Sequence, residues 1–130
     1  MLGGAYRVVI VDDAEMFRNR LLEDVAATER VEVVGTADSE AEAIALIDQT
    51  APDAAIVDVS LRRGSGLNVV REARKHFPAG QLCIVVLTNF SYSAVRDRSM
   101  EFGANHFFDK ADEYNRVCEL IRDLAAHRTS

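Results

Sequence analysis

The sequence predicts an α/β domain: a parallel five-stranded sheet with helices packed on both faces. Three observations predict it. Five short apolar runs alternate with five longer segments of helical character. Most of these runs are continuous rather than alternating, as in strands buried on both faces. Four of the runs close on groups that carry charge or bond: Asp12 and Asp13, then Asp58, Thr88 and Lys110. Right-handed crossovers would bring all of these to one edge of the sheet, the carboxyl edge where open α/β sheets bind ligands.

Residues 7–11 are short, apolar and β-branched, a buried first strand. Asp12 and Asp13 end it. The helix that follows sets Phe17, Leu21 and Val25 on one face and Arg18, Arg20 and Glu23 outside. One Asp suffices to cap that helix. Two in a row place like charges together, which a shared cation relieves. On the pair alone, capping and cation binding are equally supported. Residues 31–35 alternate more, as a strand nearer the sheet edge does. The second helix starts at Asp38 or Ser39, carries Ala41, Ile44, Ala45 and Ile47, and stops near Thr50, two residues before Pro52.

Residues 54–59 form the third strand, and Asp58 stands where strand gives way to loop. Taken alone, Asp58 is as well explained by starting a turn or capping a helix. The loop from Ser60 to Gly66 contains Gly64 and Gly66 but matches neither glycine pattern that cradles phosphates. Its Arg62 and Arg63 are expected to be solvated. Ser65 is expected to cap a helix with Leu67, Val70, Ala73 and Phe77 inward, and Pro78 and Gly80 close that unit. Residues 82–87 are the most apolar run, expected to be central, and end in Thr88. The helix over 91–102 is weakly amphipathic. It offers Ala94, Val95 and Phe102 against Arg96, Asp97, Arg98 and Glu101, and a helix with little apolar face packs loosely. Gly103 ends it as the C′ residue. Residues 106–110 form the last strand, ending in Lys110. Residues 112–128 form the last helix, with Val117, Leu120, Ile121 and Leu124 at helical spacing.

The totals agree with one domain over residues 1–130, its core at about 6–127. Hydrophobic residues make up 48% of the 130, enough for a proper core. A net charge of -6 argues against nucleic-acid binding by a broad basic surface. Cys83 and Cys118 form no metal or redox spacing, sit in apolar segments and read as buried, reduced thiols. The first residues carry no charged region followed by a long apolar one, and no apolar run reaches membrane-spanning length. A cytoplasmic protein without membrane contact is expected. His76, His106 and His127 share no ligand spacing and receive no role.

The groups at the carboxyl edge have a common chemistry. Three carboxylates repel one another, so a hard divalent cation with oxygen ligands is expected: Mg²⁺, or Mn²⁺. Thr88 can donate a hydrogen bond to a phosphoryl oxygen, and Lys110 can pair with phosphate. A carboxylate between a cation and an ammonium group is a candidate nucleophile toward phosphorus.

Taken together, the apolar run into Asp12 and Asp13, the run into Asp58, Leu87-Thr88, Gly103-Ala104-Asn105 and Phe108-Asp109-Lys110 resemble the receiver domains of two-component response regulators. The resemblance extends from Arg7 to about Leu124. It implies a flavodoxin-like (βα)5 doubly wound fold with strand order 2-1-3-4-5. It implies that Asp58 takes a phosphoryl group from a phosphohistidine of a sensor histidine kinase or histidine phosphotransfer protein. Asp13, Asp58 and the backbone carbonyl of Ser60 would bind Mg²⁺ directly, and Asp12 mainly through water. Thr88 and the aromatic Phe107 would be the switch residues, shifting the face made by the fourth helix, fifth strand and fifth helix toward a protein target. Phe107 is expected opposite Lys110, toward the fourth helix. Ser60 and Asn89 are the positions expected to tune phosphotransfer and dephosphorylation rates. Homodimerisation is compatible with the sequence.

Four positions depart from the family's habit. Arg62 stands where Pro is frequent, leaving the loop more mobile and more basic. Asn89 is larger than the usual residue after the switch threonine. Ala111 replaces the proline after Lys110, so a cis bond there is not expected. Phe107 lacks a hydroxyl, so a switch there rests on ring packing. Two other readings compete. One is a phosphorylation-independent interaction module on the same fold, motivated by Arg62, Asn89 and Ala111. The other is an enzyme: a flavin protein, which two carboxylates after strand one would disfavour, or an aspartyl phosphatase, which needs an acid where Ser60 stands.

Overall fold

The structure, a computed structural model, describes residues 4–128. Five strands, β1 (Tyr6–Val11), β2 (Val31–Ala37), β3 (Ala54–Val57), β4 (Cys83–Thr88) and β5 (His106–Asp109), alternate with α1 (Glu15–Ala26), α2 (Glu40–Thr50), α3 (Gly66–His76), α4 (Ser93–Glu101) and α5 (Tyr114–Arg128). All neighbouring strands pair in parallel, in the order β2-β1-β3-β4-β5. The fold is the flavodoxin-like one expected.

Side-chain alternation sorts the sheet into two apolar layers. Val9, Val11, Ala55, Val57, Ile84 and Val86 face α2 and α3, meeting Ala43, Ile47, Val69 and Val70. Val8, Ile10, Ala54, Ile56, Val85 and Leu87 face α1 and α5, meeting Leu21, Val25, Val117 and Ile121. Because both layers are sealed, the inner strands carry no polar face, which is why their sequences run apolar without alternation. β2 lies at the edge, as its pattern predicts. It carries one extra residue, Val34, between the Val8–Val33 and Val9–Gly35 pairs, a bulge in the ladder.

Several elements differ in detail from expectation. α2 buries Ala43 and Ile47, while Ala41 and Ala45 are exposed. Alternating small and branched residues allow more than one helical face, and packing on the sheet selects this one. α3 buries Val69, Val70 and Ala73; Leu67 is half-buried, and Phe77 lies just past the helix end. β4 is an inner strand, but β3 is the central one. A strand with neighbours on both sides is equally sealed in either place, so apolarity does not separate them. α4 is shorter than expected and Ala94 is exposed; among its described residues only Ser99 is buried. No helix among the described residues is long and apolar enough to cross a membrane.

Candidate functional site

The strand ends assemble one pocket. Val11 and Val57 are paired neighbours, so Asp12 and Asp58 leave adjacent strands side by side. The Asp58 N–H donates to the Val11 carbonyl at 2.9 Å, and the Asp12 N–H to the Ala37 carbonyl at 2.9 Å. The Lys110 N–H donates to the Thr88 carbonyl at 3.0 Å, tying the end of β5 to β4. By alternation, Asp58 falls in line with Ala54 and Ile56, and Lys110 with Phe108, all on the α1 and α5 side.

Side chains converge there. Lys110 Nζ donates to Asp58 Oδ2 at 2.9 Å and pairs with Asp12 Oδ2 at 2.8 Å. All three residues are buried, at 9%, 5% and 2% exposure. The ammonium also sits 4.1 Å from the centre of the Phe17 ring, a cation–π contact that covers its far side. Asp13 stands exposed beside them, and carboxylate oxygens of Asp12, Asp13 and Asp58 all lie within 4.8 Å of one another. Three carboxylates thus face one ammonium.

The electrostatics follow. Burial pushes the Asp12 carboxyl up, against the pull of the Lys110 hydrogen bond and the Ala14 N–H. Burial alone would lower the Lys110 ammonium, but its hydrogen bonds to Asp12 and Asp58 outweigh that and hold it above its ordinary value. Lys110 is therefore charged at neutral pH. Three clustered carboxyl groups offer the oxygen donors that a hard divalent cation takes, so the residues present fit such an ion.

The other expected residues are placed as follows. Thr88 is fully buried at the end of β4, and its Oγ1 accepts the Phe90 N–H at 3.2 Å. Asn89 is exposed next to it. Ser60 is exposed, with its N–H 3.4 Å from Asp58 Oδ1. Phe107 is buried on the opposite side of the sheet from Lys110, in the layer with Val95 and Phe102, and the Arg96 guanidinium lies 4.9 Å from its ring centre. The Lys110–Ala111 bond is trans, as expected.

In the loop after β3, Arg62 and Arg63 are exposed, as expected. Arg62 also forks onto Asp38, which was not expected: Nε to Oδ2 and Nη2 to Oδ1, both 3.0 Å. Backbone bonds join the same loops, Arg62 N–H to the Asp38 carbonyl and Glu40 N–H to the Arg63 carbonyl. Gly66 packs so closely that an added Cβ would lie 1.9 Å from the Asp58 carbonyl oxygen. Sequence reasoning missed the roles of Phe17, of Arg18, which donates to the Asp12 carbonyl at 2.8 Å, and of Asp38 and Glu40. Phe17 was visible only as a core residue. No local signal links Asp38 to Arg62, 24 residues away.

The chain is similar to known proteins in sequence and in fold. The sequence profile of the response regulator receiver domain matches residues 8–122. The photosynthetic apparatus regulatory protein RegA of Cereibacter sphaeroides is 35% identical over 120 residues, covering 92% of this chain and 63% of that protein. The DNA-binding transcriptional activator DevR/DosR of Mycobacterium tuberculosis is 29% identical over 123 residues, covering 95% of this chain and 56% of that protein. The chain thus spans about half the length of that activator, and 27% of a protein-glutamate methylesterase from Photobacterium profundum to which it is 34% identical. Among solved structures, the signal receiver domain of NarL from Mycobacterium tuberculosis superposes with a TM-score of 0.83 at 26% identity, covering 95% of this chain and 98% of that one. On its sequence, strand order and acidic pocket, the chain belongs to the response regulator receiver domain family of two-component signalling.

Proposed function

We infer that Asp58 is the phosphoacceptor of this receiver and takes its phosphoryl group from a phosphohistidine of a sensor histidine kinase or histidine phosphotransfer protein. The observation that carries this is the buried Lys110 ammonium on Asp58 Oδ2, in a pocket shared with Asp12 and Asp13. An Asp58 carboxylate oxygen attacks phosphorus in line, and the bond from phosphorus to the donor imidazole nitrogen breaks. The bonding pair stays on that nitrogen. Lys110 pairs with the incoming phosphoryl oxygens, and the Thr88 hydroxyl turns from its local bond to donate to one of them. Asp12, Asp13, Asp58 and the Ser60 carbonyl would hold Mg²⁺ or Mn²⁺, which when bound offsets charge on the phosphoryl oxygens. Asn89 and Ser60, exposed at the mouth, would set the rates of transfer and loss.

Transfer then shifts the α4–β5–α5 face through Thr88 and Phe107, and a protein target reads the change in the cytoplasm. The chain acts as a signalling protein whose own chemistry is limited to gaining and losing the phosphoryl group. The test is intact-mass spectrometry after incubation with Mg²⁺ and a small acyl phosphate. The chain should gain one labile phosphoryl group; Asp58→Ala and a chelated sample should gain none. A folded, Mg²⁺-bound chain that gains none would favour the phosphorylation-independent interaction module instead.

A further inference from the structure

The loop that carries the acceptor is gripped on its outer side by the start of α2. Residues 60–65 close on themselves through a bridge between Ser60 and Ser65. On the inner side, Gly66 lies against the Asp58 carbonyl, its N–H donates to the Val59 carbonyl at 2.8 Å, and the Ser60 N–H faces Asp58 Oδ1. On the outer side, three contacts come from two acidic residues. Asp38 takes the Arg62 fork. Glu40 Oε1 accepts the Ser65 N–H at 3.0 Å and the Asn68 side-chain amide at 3.3 Å. Gly64, at φ +83°, leaves no room for a Cβ against the Glu40 side chain.

We propose that Asp38 and Glu40 are positioning residues for the phosphoacceptor: through Arg62 and Ser65 they hold the 60–65 loop so that the Asp58 carboxylate and Ser60 carbonyl present a preformed cation site. The inference rests on the Asp58 reading above but reaches residues that touch neither the cation nor the phosphoryl group. Proline restricts a loop through its own ring; here the same position carries an arginine whose planar fork is held by a carboxylate from another loop. Supports of this kind typically change metal affinity by about 10-fold or more when removed.

The experiment uses the full chain with Asp38→Ala, Glu40→Ala, Arg62→Lys and the exchanged pair Asp38→Arg with Arg62→Asp. Mg²⁺ affinity is measured by titration calorimetry, acceptance of phosphoryl from an acyl phosphate by intact mass, and folding by thermal melting. The first three variants should bind Mg²⁺ roughly 10-fold more weakly, at a melting temperature that leaves them fully folded. Arg62→Lys keeps the charge but loses the fork, so weakened binding there separates geometry from net charge. The exchanged pair should recover most of the affinity. Arg63→Ala, whose side chain is exposed, should bind as the parent does. Unchanged Mg²⁺ affinity in folded Asp38→Ala and Arg62→Lys would overturn the proposal. Calorimetry needs no phosphoryl transfer, so failure of Asp58 to accept phosphoryl leaves this readout intact and counts against the acceptor reading alone.

Discussion

The loop after β3 and the segment after β4 both border the pocket, and they are held in opposite ways. The first is fastened on two sides. Leu61 is buried beneath it, Arg62 and Ser65 are bound to Asp38 and Glu40, and Gly66 is pressed on the Asp58 backbone. The second is exposed from Asn89 through Ala94, with Phe90 at 45% and Tyr92 at 67%. α4 follows Tyr92, which gives it no side-chain cap, and Ser99 is its one buried residue among those described. Transfer to phosphorus needs an oxygen held in place, which a fastened wall supplies. Transmission needs an element with little buried apolar area, which opens or shifts at low cost. The pocket sets one wall of each kind on adjoining strands.

The largest effect should come from Lys110→Ala, in the pocket that both walls border. It leaves Asp12 and Asp58 buried without their shared ammonium, a loss of about 3–5 kcal/mol in urea unfolding with chelator present. Mg²⁺ should restore part of it by binding the folded state. Stability equal to the parent in chelator would show the ammonium to be dispensable. Gly66→Ala comes next, at about 3 kcal/mol, because the new methyl meets backbone that cannot yield. Gly80→Ala, with nothing within 4 Å of the new methyl, should stay within about 0.5 kcal/mol and serves as its control.

The Asp38–Arg62 fork should read out in pH. The Arg62 guanidinium holds the Asp38 carboxyl down to about 2 from an ordinary 3.8. A lowered carboxyl stabilises the fold above its unfolded value and loses that contribution as pH falls through the folded one. The melting-temperature difference between the parent and Asp38→Asn should therefore be level above pH 3.8 and shrink between 3.8 and about 2. Thermal melts across that range check it. The smallest effects belong to the loose wall: Phe90→Ala and Tyr92→Ala should each change stability by less than about 0.5 kcal/mol, since both residues are exposed. A cost above 1 kcal/mol at either would mean that this wall is fastened too.

Much of this was legible in the sequence, for a physical reason. Each strand and the polar residue closing it are adjacent in the chain, so an apolar run into Asp58 or Lys110 reports both element and edge. Parallel topology then converts four separate strand ends into one pocket. The small buried face of α4 was legible as well, because amphipathicity is a local property. What escaped depends on contacts between polar residues far apart in the chain. Nothing in the spacing joins Asp38 to Arg62 or Glu40 to Ser65, and a solvated arginine is the ordinary expectation for that composition. The inner face of α2 escaped because Ala41, Ala43, Ile44, Ala45 and Ile47 satisfy several helical registers. The spacing of Phe17 marks it only as core, and the fold alone brings its ring against the Lys110 ammonium.

The most direct test of the two-wall account is amide hydrogen exchange by mass spectrometry on the Mg²⁺-bound chain, before and after phosphorylation by an acyl phosphate. The account predicts altered exchange in peptides covering residues 89–109, and unaltered slow exchange over residues 58–66. Altered exchange confined to residues 58–66, or no change anywhere once Asp58 carries the phosphoryl group, would contradict it.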